Sequence, residues 1–167
     1  LEFRRVLFRS NSMKIRRAIP EDASQIQKLM KKVWLDTYPN EEFGITKASI
    51  DKFVKDWDSQ EQVRIMSKNI GSKRPSTDHL VAVADNKIVA NMLVVNNGLR
   101  QLYIDPKYQY RGIGSEMLGK AKIDSLEVVK YNLQAVNFYK KHGFIIDKES
   151  MADFGDIKLP TYVMKRP

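Results

Sequence analysis

The chain has no cysteine, which excludes disulfide bonds, thiolate metal sites and a cysteine nucleophile. It has only two histidines, His79 and His142, so a metal site built from several imidazoles is not expected. It also lacks any run of the roughly 20 apolar residues that a membrane-spanning helix needs. We therefore expect a cytoplasmic protein that binds neither a metal nor a membrane.

Acidic residues are fewer than basic ones. The chain has 29 Lys and Arg against 20 Asp and Glu, which gives a formal net charge of +9. This balance suits a phosphorylated cofactor or another polyanion, and it also suits a solvated basic surface. The basic residues are scattered, and no basic stripe with interleaved aromatic residues stands out. Nucleic acid is therefore not the expected partner.

The beginning of the chain differs in character from the rest. The first residue is Leu1, and a strand-like run begins only at Met13. The apolar stretch within residues 1–12 is too short for the core of a signal peptide, so we interpret these residues as a cloning-derived tail. Residues 13–167 have the usual size of one domain and are predicted to form a single domain.

The apolar periodicity predicts the order β, α, α, several β, α, β, α, β, β, which is a mixed α/β domain. Turn residues predict a hairpin at Asp85-Asn86 and a further strand over Leu99–Ile104. A helix of two or three turns is expected to begin near Gly114. A later helix that carries Phe138 is expected to end at Gly143.

Two finer features also follow from local patterns. Thr46 and Ser59 each precede a predicted helix and are predicted to cap its N-terminus. Alternation within the strand-like run after the first hairpin predicts one shared apolar face. Its members are Ile88, Ala90, Met92 and Val94.

Glycine is scarce, with eight in the chain, but two glycines stand close together in the segment Gln109–Gly114. This segment lies between a predicted strand and a predicted helix. Glycine lets the backbone approach a ligand closely, and the free N–H groups at the start of a helix favour anions. Arg111 adds a positive charge. The segment therefore predicts a phosphate-binding loop.

Three phosphate motifs compete for this loop. The dinucleotide fingerprint G-x-G-x-x-G fails because Met117 occupies the third glycine position. The stretch Gly114–Lys120 matches G-x-x-x-x-G-K, but Ala121 follows it where a nucleotide triphosphatase needs Ser or Thr for magnesium. The third motif, Q/R-x-x-G-x-G/A, is satisfied by Gln109–Gly114 and is weak when taken alone.

A second motif lies downstream. Asn132–Phe144 reads N-L-Q-A-V-N-F-Y-K-K-H-G-F and matches N-x-x-A-x-x-F-Y-x-K-x-G-F at every marked position. With the loop, it makes the chain resemble the GNAT family of CoA-dependent N-acetyltransferases, most strongly over Leu102–Phe144. The resemblance implies a single-domain α/β fold. Its mostly antiparallel sheet would have six or seven strands and about four flanking helices, with splayed strands at the CoA site.

The resemblance implies acetyl-CoA as the cofactor. Backbone N–H groups of the loop would hold the pyrophosphate, and the strand ending at Ile104 would pair with the pantetheine arm and polarise the thioester carbonyl. Asn132 would bond the cofactor arm, although it also suits a helix N-cap. The implied cofactor-binding residues are Leu102, Ile104, Gln109, Tyr110, Arg111, Gly112, Ile113, Gly114, Ser115, Asn132 and Tyr139.

Tyr139 matches the family's general acid. A phenol has a pKa near 10, stays protonated at neutral pH and can donate a proton to the departing CoA thiolate. The alternative is a purely structural aromatic residue on the helix face. His142 is interpreted as a helix-end residue. Lys140 and Lys141 would either reach the 3′-phosphate of the cofactor or form a solvated face.

The general base is where the chain departs from the family. Many members carry a glutamate three or four residues before the Leu102 position, where this chain has Gly98 and Leu99. An attacking amine must lose a proton, so another group has to accept it. The candidates are Asp36, Asp105, Glu127 and a water held by backbone carbonyls or Asn97.

The acceptor is left open by the sequence. Trp34 and Tyr38 lie where the family lines its acceptor site, and core packing is the alternative for Trp34. A small amine, a polyamine, an amino acid and a protein amine all remain candidates, as do a monomer and a homodimer. A non-catalytic CoA-binding module of the same fold is the alternative function.

Overall fold

A computed structural model describes residues 13–167, which form one seven-stranded sheet with helices on both faces. The predicted cloning-derived tail, residues 1–12, lies outside the described residues. The strands are β1 (Lys14–Arg17), β2 (Thr77–Ala84), β3 (Lys87–Val95), β4 (Gly98–Ile104), β5 (Ser125–Val129), β6 (Ile145–Asp153) and β7 (Lys158–Lys165).

Five α-helices lie within the described residues, one more than the expected four. Both predicted caps are confirmed, since Thr46 Oγ1 accepts from the Ser49 N–H at 3.0 Å and Ser59 Oγ accepts from the Gln62 N–H at 3.3 Å. The helices are α1 (Ala23–Thr37), α2 (Lys47–Val54), α3 (Gln60–Gly71), α4 (Ile113–Leu118) and α5 (Leu133–Lys141).

The sheet has the order β1-β2-β3-β4-β5-β7-β6, and only the central β4–β5 pair is parallel. Tight turns join β2 to β3 and β3 to β4, and their central residues are Asp85-Asn86 and Asn96-Asn97. All four residues have positive φ values between 50° and 62°. Asp and Asn tolerate this left-handed conformation, so these turn sequences suit hairpins. The mostly antiparallel sheet and its mixed α/β class are confirmed.

The core is divided by the sheet. On one face, α4 and α5 pack against the central strands through residues such as Met117 and Val136. On the other face, α1 packs with α2 through Trp34 and with the β2–β3 hairpin through Ile26. Both faces of β3 are covered, which explains why its sequence is almost continuously apolar.

Two sequence expectations were wrong. Helix α4 has six residues, fewer than the two or three turns expected, because a tight connection leads from Leu118 back to β5. Ile88 does not share a face with Ala90, because a bulge places an extra residue, Val89, opposite the bond between Ala82 and Val83. The bulge reverses the alternation of side chains along β3.

No helix within residues 13–167 is both long enough and apolar enough to cross a lipid bilayer. Across the same residues, no three His, Cys, Asp or Glu side chains are grouped in a way that could hold a metal ion.

Candidate functional site

The central feature of the site is a gap between β4 and β5. The two strands pair only at Gly98 with Ser125 and at Leu99 with Leu126, and beyond Leu99 they diverge. On its other edge β4 remains paired with β3 as far as Ile104. The expected splay is therefore confirmed, and the backbone of β4 beyond Leu99 has groups that face the gap and not a neighbouring strand.

A bulge lies in β4 at the beginning of this gap. Leu99 pairs with Val94 and Gln101 pairs with Leu93, so Arg100 is an extra residue without an opposing partner in β3. A bulge bends its strand and changes where the neighbouring side chains point. Arg100 and Gln101, which are adjacent in the sequence, both line the same cavity beside the gap.

Two cavities meet at the gap. The larger cavity, of about 860 Å³, runs along the end of β4, the loop Gln109–Ser115 and one face of α5. The smaller cavity, of about 210 Å³, lies between β4, β5, α1 and the ends of β6 and β7. The two linings share six residues, which lie where the cavities meet. They are Tyr38, Leu102, Tyr103, Asn132, Ala135 and Tyr139.

The larger cavity brings together all the predicted cofactor-binding residues except Arg111. The Arg111 guanidinium lies 4.9 Å from the centre of the Tyr108 ring instead. Such a cation–π contact keeps the side chain beside the loop. Tyr110 lines the cavity but its side chain is 89% exposed, so it lies at the rim.

The two glycines of the loop serve different purposes. Gly112 precedes α4 with φ at +80°, and a Cβ there would meet nothing within 4 Å, so its conformation is what requires glycine. Gly114 has an ordinary φ, but a Cβ would lie 3.0 Å from Phe138 Cζ and 3.2 Å from Ile104 Cδ1. Glycine is needed there for close packing of α4 against β4 and α5.

The loop presents several backbone N–H groups. The first hydrogen bond of α4 runs from the Glu116 N–H to the Gly112 carbonyl at 3.0 Å, and Gly112 offers no side-chain cap. The N–H groups of residues 113–115 therefore precede the intrahelical hydrogen bonds. The Gln109 N–H does not share this freedom, because it donates to the Pro106 carbonyl at 3.4 Å. The role of the Gln109 N–H in binding the pyrophosphate stays a prediction.

Asn132 both caps α5 and lies at the cavities. Its Oδ1 accepts from the Ala135 N–H at 3.3 Å, so it caps α5, and it also lines both cavities. The cap orients the side chain at the gap and leaves the amide NH₂ available as a donor.

Tyr139 lies at the junction of the two cavities. It is only 8% exposed, and within residues 13–167 its hydroxyl forms no hydrogen bond. Burial, with a smaller contribution from Tyr103, raises the pKa of Tyr139 well above its ordinary value. The group is therefore held as a neutral phenol whose proton is free to be donated.

Further aromatic residues surround this junction. Trp34 is buried against Phe53 and Trp57, and its Nε1 donates to the Tyr103 hydroxyl at 3.0 Å. Trp34 therefore packs in the core and lines the smaller cavity as well. Tyr38 lines both cavities, and burial raises the pKa of Tyr38 well above its ordinary value.

The structure places the candidates for the general base in different surroundings. Glu127 lines the smaller cavity, and its Oε1 accepts from Thr161 Oγ1 at 2.6 Å. Asp36 lines the larger cavity. Asp105 lines neither cavity and accepts from Lys32 Nζ at 3.2 Å and from the Lys107 N–H at 3.0 Å. Burial opposes but does not outweigh these bonds, which lower the pKa of Asp105. Asn97 belongs to the hairpin turn and lines neither cavity.

Comparison with known proteins supports the resemblance to the GNAT family. Residues 75–146 match the family model for the acetyltransferase (GNAT) domain. This stretch runs from β2 to the beginning of β6 and includes the loop and α5. The resemblance to the GNAT family is confirmed. No curated protein matches the chain.

Solved structures share the GNAT fold along nearly the whole chain. PaiA N-acetyltransferase from Thermoplasma acidophilum, solved with coenzyme A, is 21% identical with a TM-score of 0.68, and the alignment covers 93% of this chain and 98% of that one. A GNAT acetyltransferase from Streptococcus pneumoniae is 22% identical with a TM-score of 0.65, over 92% and 97% of the two chains. YncA from Salmonella typhimurium, solved with acetyl-CoA, is 14% identical with a TM-score of 0.58, over 92% of each chain.

Several polar residues beside the site escape the sequence motifs. His79, Asn91 and Gln101 form a chain of hydrogen bonds across three strands. Asn91 is a polar residue within the apolar run of β3, and that interruption is the one signal that a buried polar contact exists. His142 was predicted to end α5, and it does, but its Nε2 also lies 2.9 Å from Ser115 Oγ in the loop.

Proposed function

We propose that the protein is an N-acetyltransferase that transfers an acetyl group from acetyl-CoA to a primary amine. The observation that carries this proposal is Tyr139, a neutral phenol with a free hydroxyl at the point where two cavities meet. Two cavities that share one proton donor suit a reaction between two substrates. The GNAT domain match supports the same reaction class.

The larger cavity fits acetyl-CoA, which supplies an activated thioester and a thiol leaving group when bound. The N–H groups before the first bond of α4 suit the pyrophosphate, and Lys141 at the cavity wall adds positive charge. The open edge of β4 near Ile104 suits the amide groups of a pantetheine arm. PaiA and YncA, which share the fold, were solved with coenzyme A and acetyl-CoA respectively.

Tyr139 acts as the general acid in this proposal. The amine forms a bond to the acyl carbon, the carbon–sulfur bond breaks, and the sulfur takes the proton of the Tyr139 hydroxyl. A raised pKa keeps that hydroxyl protonated until a thiolate develops beside it. Solvent then returns a proton to the phenolate.

Glu127 acts as the general base in this proposal. Of the acids considered, it alone lines the smaller cavity, where the amine would approach the gap. The Thr161 hydroxyl bonds one of its oxygens, so the other oxygen can accept the amine proton. Asp105 is less suited, because Lys32 and the Lys107 N–H already stabilise its charged form.

An assay of amine-dependent thiol release from acetyl-CoA tests the proposal. The expected result is release of free CoA together with an acetylated amine identified by mass spectrometry. A protein that binds CoA in the larger cavity but acetylates no amine of a broad panel would instead be a non-catalytic CoA-binding module of the GNAT fold.

A further inference from the structure

The smaller cavity contains an arginine that the proposed reaction does not use. Arg100 lines this cavity, and within residues 13–167 it forms no hydrogen bond, ion pair or ring contact. Its Cζ lies 3.9 Å from the position that a Cβ on Gly98 would take, so the guanidinium lies beside Gly98 at the beginning of the gap. The bulge at Arg100 brings this residue and Gln101 to the same cavity.

Gln101 is held in place by a buried chain of hydrogen bonds. His79 Nε2 lies 2.6 Å from Asn91 Oδ1, and Asn91 Nδ2 donates to Gln101 Oε1 at 3.0 Å. Asn91 is fully buried, so these partners decide its orientation. An amide oxygen only accepts, so His79 donates through Nε2. Burial lowers the pKa of His79, which keeps the ring neutral at physiological pH.

This chain of bonds determines what Gln101 offers to the smaller cavity. Its Oε1 accepts from Asn91, and its NH₂ group forms no hydrogen bond within residues 13–167, so this group can donate to a ligand. Arg100 and Gln101, which are neighbours in β4, thus supply hydrogen-bond donors to the cavity. The Arg100 guanidinium and the Gln101 NH₂ group are both suited to bind a carboxylate.

The smaller cavity carries one group of each charge. Within the described residues, Glu127 on β5 is the one acid that lines it and Arg100 is the one base. A polyamine would bring several positive charges to a single carboxylate and would meet Arg100 as a like charge. An amine with no anionic group would leave Arg100, which is exposed, with only solvent as its partner. A zwitterion offers each of the two groups a partner of opposite charge.

The smaller cavity is also the less roomy of the two. Its volume is about 210 Å³, against about 860 Å³ for the larger cavity. It therefore suits the smaller of the two substrates.

We propose that the acceptor is a free amino acid, whose amine lies toward Glu127 and whose carboxylate is bound by Arg100 and Gln101. This inference rests on the proposed acetyl transfer and adds the substrate class. Arg100 and Gln101 are the specificity-determining residues, and Asn91 is a positioning residue that acts through Gln101.

The test compares amino acids with the matched amines that lack the carboxylate, and adds spermidine, in the thiol-release assay. The expected result is a kcat/KM for the best amino acid that exceeds that for its decarboxylated amine by roughly 10- to 100-fold, the value of a charge-assisted hydrogen-bonded pair. Arg100→Met should abolish this preference, and Arg100→Lys should restore part of it. Arg64→Met, on the exposed face of α3, is the matched control and should change nothing.

The outcomes separate this inference from the proposed function. If amines are acetylated without regard to a carboxylate, or spermidine is preferred, the amino acid inference is overturned while acetyl transfer stands. If no amine is acetylated, the proposed function fails, and calorimetry with N-acetylalanine and N-ethylacetamide decides the inference. Binding of N-acetylalanine alone, lost in Arg100→Met, supports the carboxylate site. Absence of that binding, or equal binding of both compounds, overturns it.

Discussion

The two cavities that meet at Tyr139 are built in different ways. At the loop, the larger cavity is lined by residues 112–115, where the backbone N–H groups of residues 113–115 precede the intrahelical hydrogen bonds of α4. The smaller cavity is lined by residues of β4, β5, α1, β6 and β7. Its polar lining residues include Arg100, Gln101 and Glu127. A backbone site suits a ligand shared by a family, whereas a side-chain site can change with each acceptor.

The two cavities also differ in how far apart their lining residues lie in the sequence. The loop and α5 lie close together in the sequence, between residues 109 and 141, within the matched region 75–146. The smaller cavity combines Trp34 with Thr161, which lie at opposite ends of the described chain. Substitutions in the two cavities should therefore affect different measurements.

The largest effect is expected for Tyr139→Phe, which removes the proton donor shared by both cavities. We expect kcat to fall by about 100- to 1,000-fold, since a general acid contributes at least that much. The dissociation constant of CoA, measured by calorimetry, should be unchanged because the ring remains. Tyr162→Phe, which lines neither cavity, is the control and should retain full activity. Full activity in Tyr139→Phe would show that the acid is another group.

Glu127→Gln should lower kcat/KM for the acceptor by about 100-fold, because the amide cannot accept the amine proton. Affinity for CoA should be unchanged, since Glu127 does not line the larger cavity. Glu149→Gln, an exposed residue of β6, serves as the control. An unchanged rate in Glu127→Gln would point to a water relay in place of this carboxylate.

Asp22→Asn tests the anchoring of α1, the helix that brings Trp34 to the smaller cavity. The Asp22 carboxylate accepts from Arg16 at 2.7 and 2.9 Å and from the Ile19 N–H at 2.9 Å. We expect the free energy of unfolding at pH 7 to fall by about 1.5–3 kcal/mol, measured by urea denaturation. Asp51→Asn, exposed on α2, should have no effect, and equal stability of the two variants would contradict this account.

The same carboxylate predicts a pH dependence. Burial alone would raise the pKa of Asp22, but the bonds from Arg16 and Ile19 outweigh it and lower the pKa. The stabilisation is thus complete above the pKa of an unfolded Asp and is lost as the pH falls through the lower folded value. The stability difference between the parent protein and Asp22→Asn should shrink in acid, and a difference that grows in acid would contradict the assignment.

The smallest effect is expected for Gly112→Ala. Its φ of +80° disfavours any side chain, although a Cβ there meets no atom. We expect a loss of about 1 kcal/mol in stability and a several-fold weaker binding of CoA, with kcat for the bound substrates little changed. Gly119→Ala is the matched control, because Gly119 has φ at −71°. Equal CoA affinity in both variants would show that the loop conformation does not matter.

The sequence was sufficient for the larger cavity because its parts are local. The glycine loop, the cap at Asn132 and the end of α5 at Gly143 each follow from neighbouring residues, and the structure contains all three. The contact of Arg111 with the Tyr108 ring was not predicted, and the role of Arg111 in binding the cofactor stays a prediction.

The smaller cavity could not be predicted in the same way. A bulge in each of β3 and β4 changes which side chains share a face, and a bulge depends on pairing with distant residues. The chain from His79 through Asn91 to Gln101 needs the register of three strands before it can be seen. Glu127 could be named as a candidate, but only the fold separates it from Asp36 and Asp105.

The most direct test of the account is a crystal structure of the protein with acetyl-CoA. We predict the pyrophosphate against the N–H groups of residues 113–115, the pantetheine arm along β4 near Ile104, and the thioester sulfur within hydrogen-bonding distance of the Tyr139 hydroxyl. A cofactor bound outside the larger cavity, or a thioester remote from Tyr139, would contradict the proposed reaction.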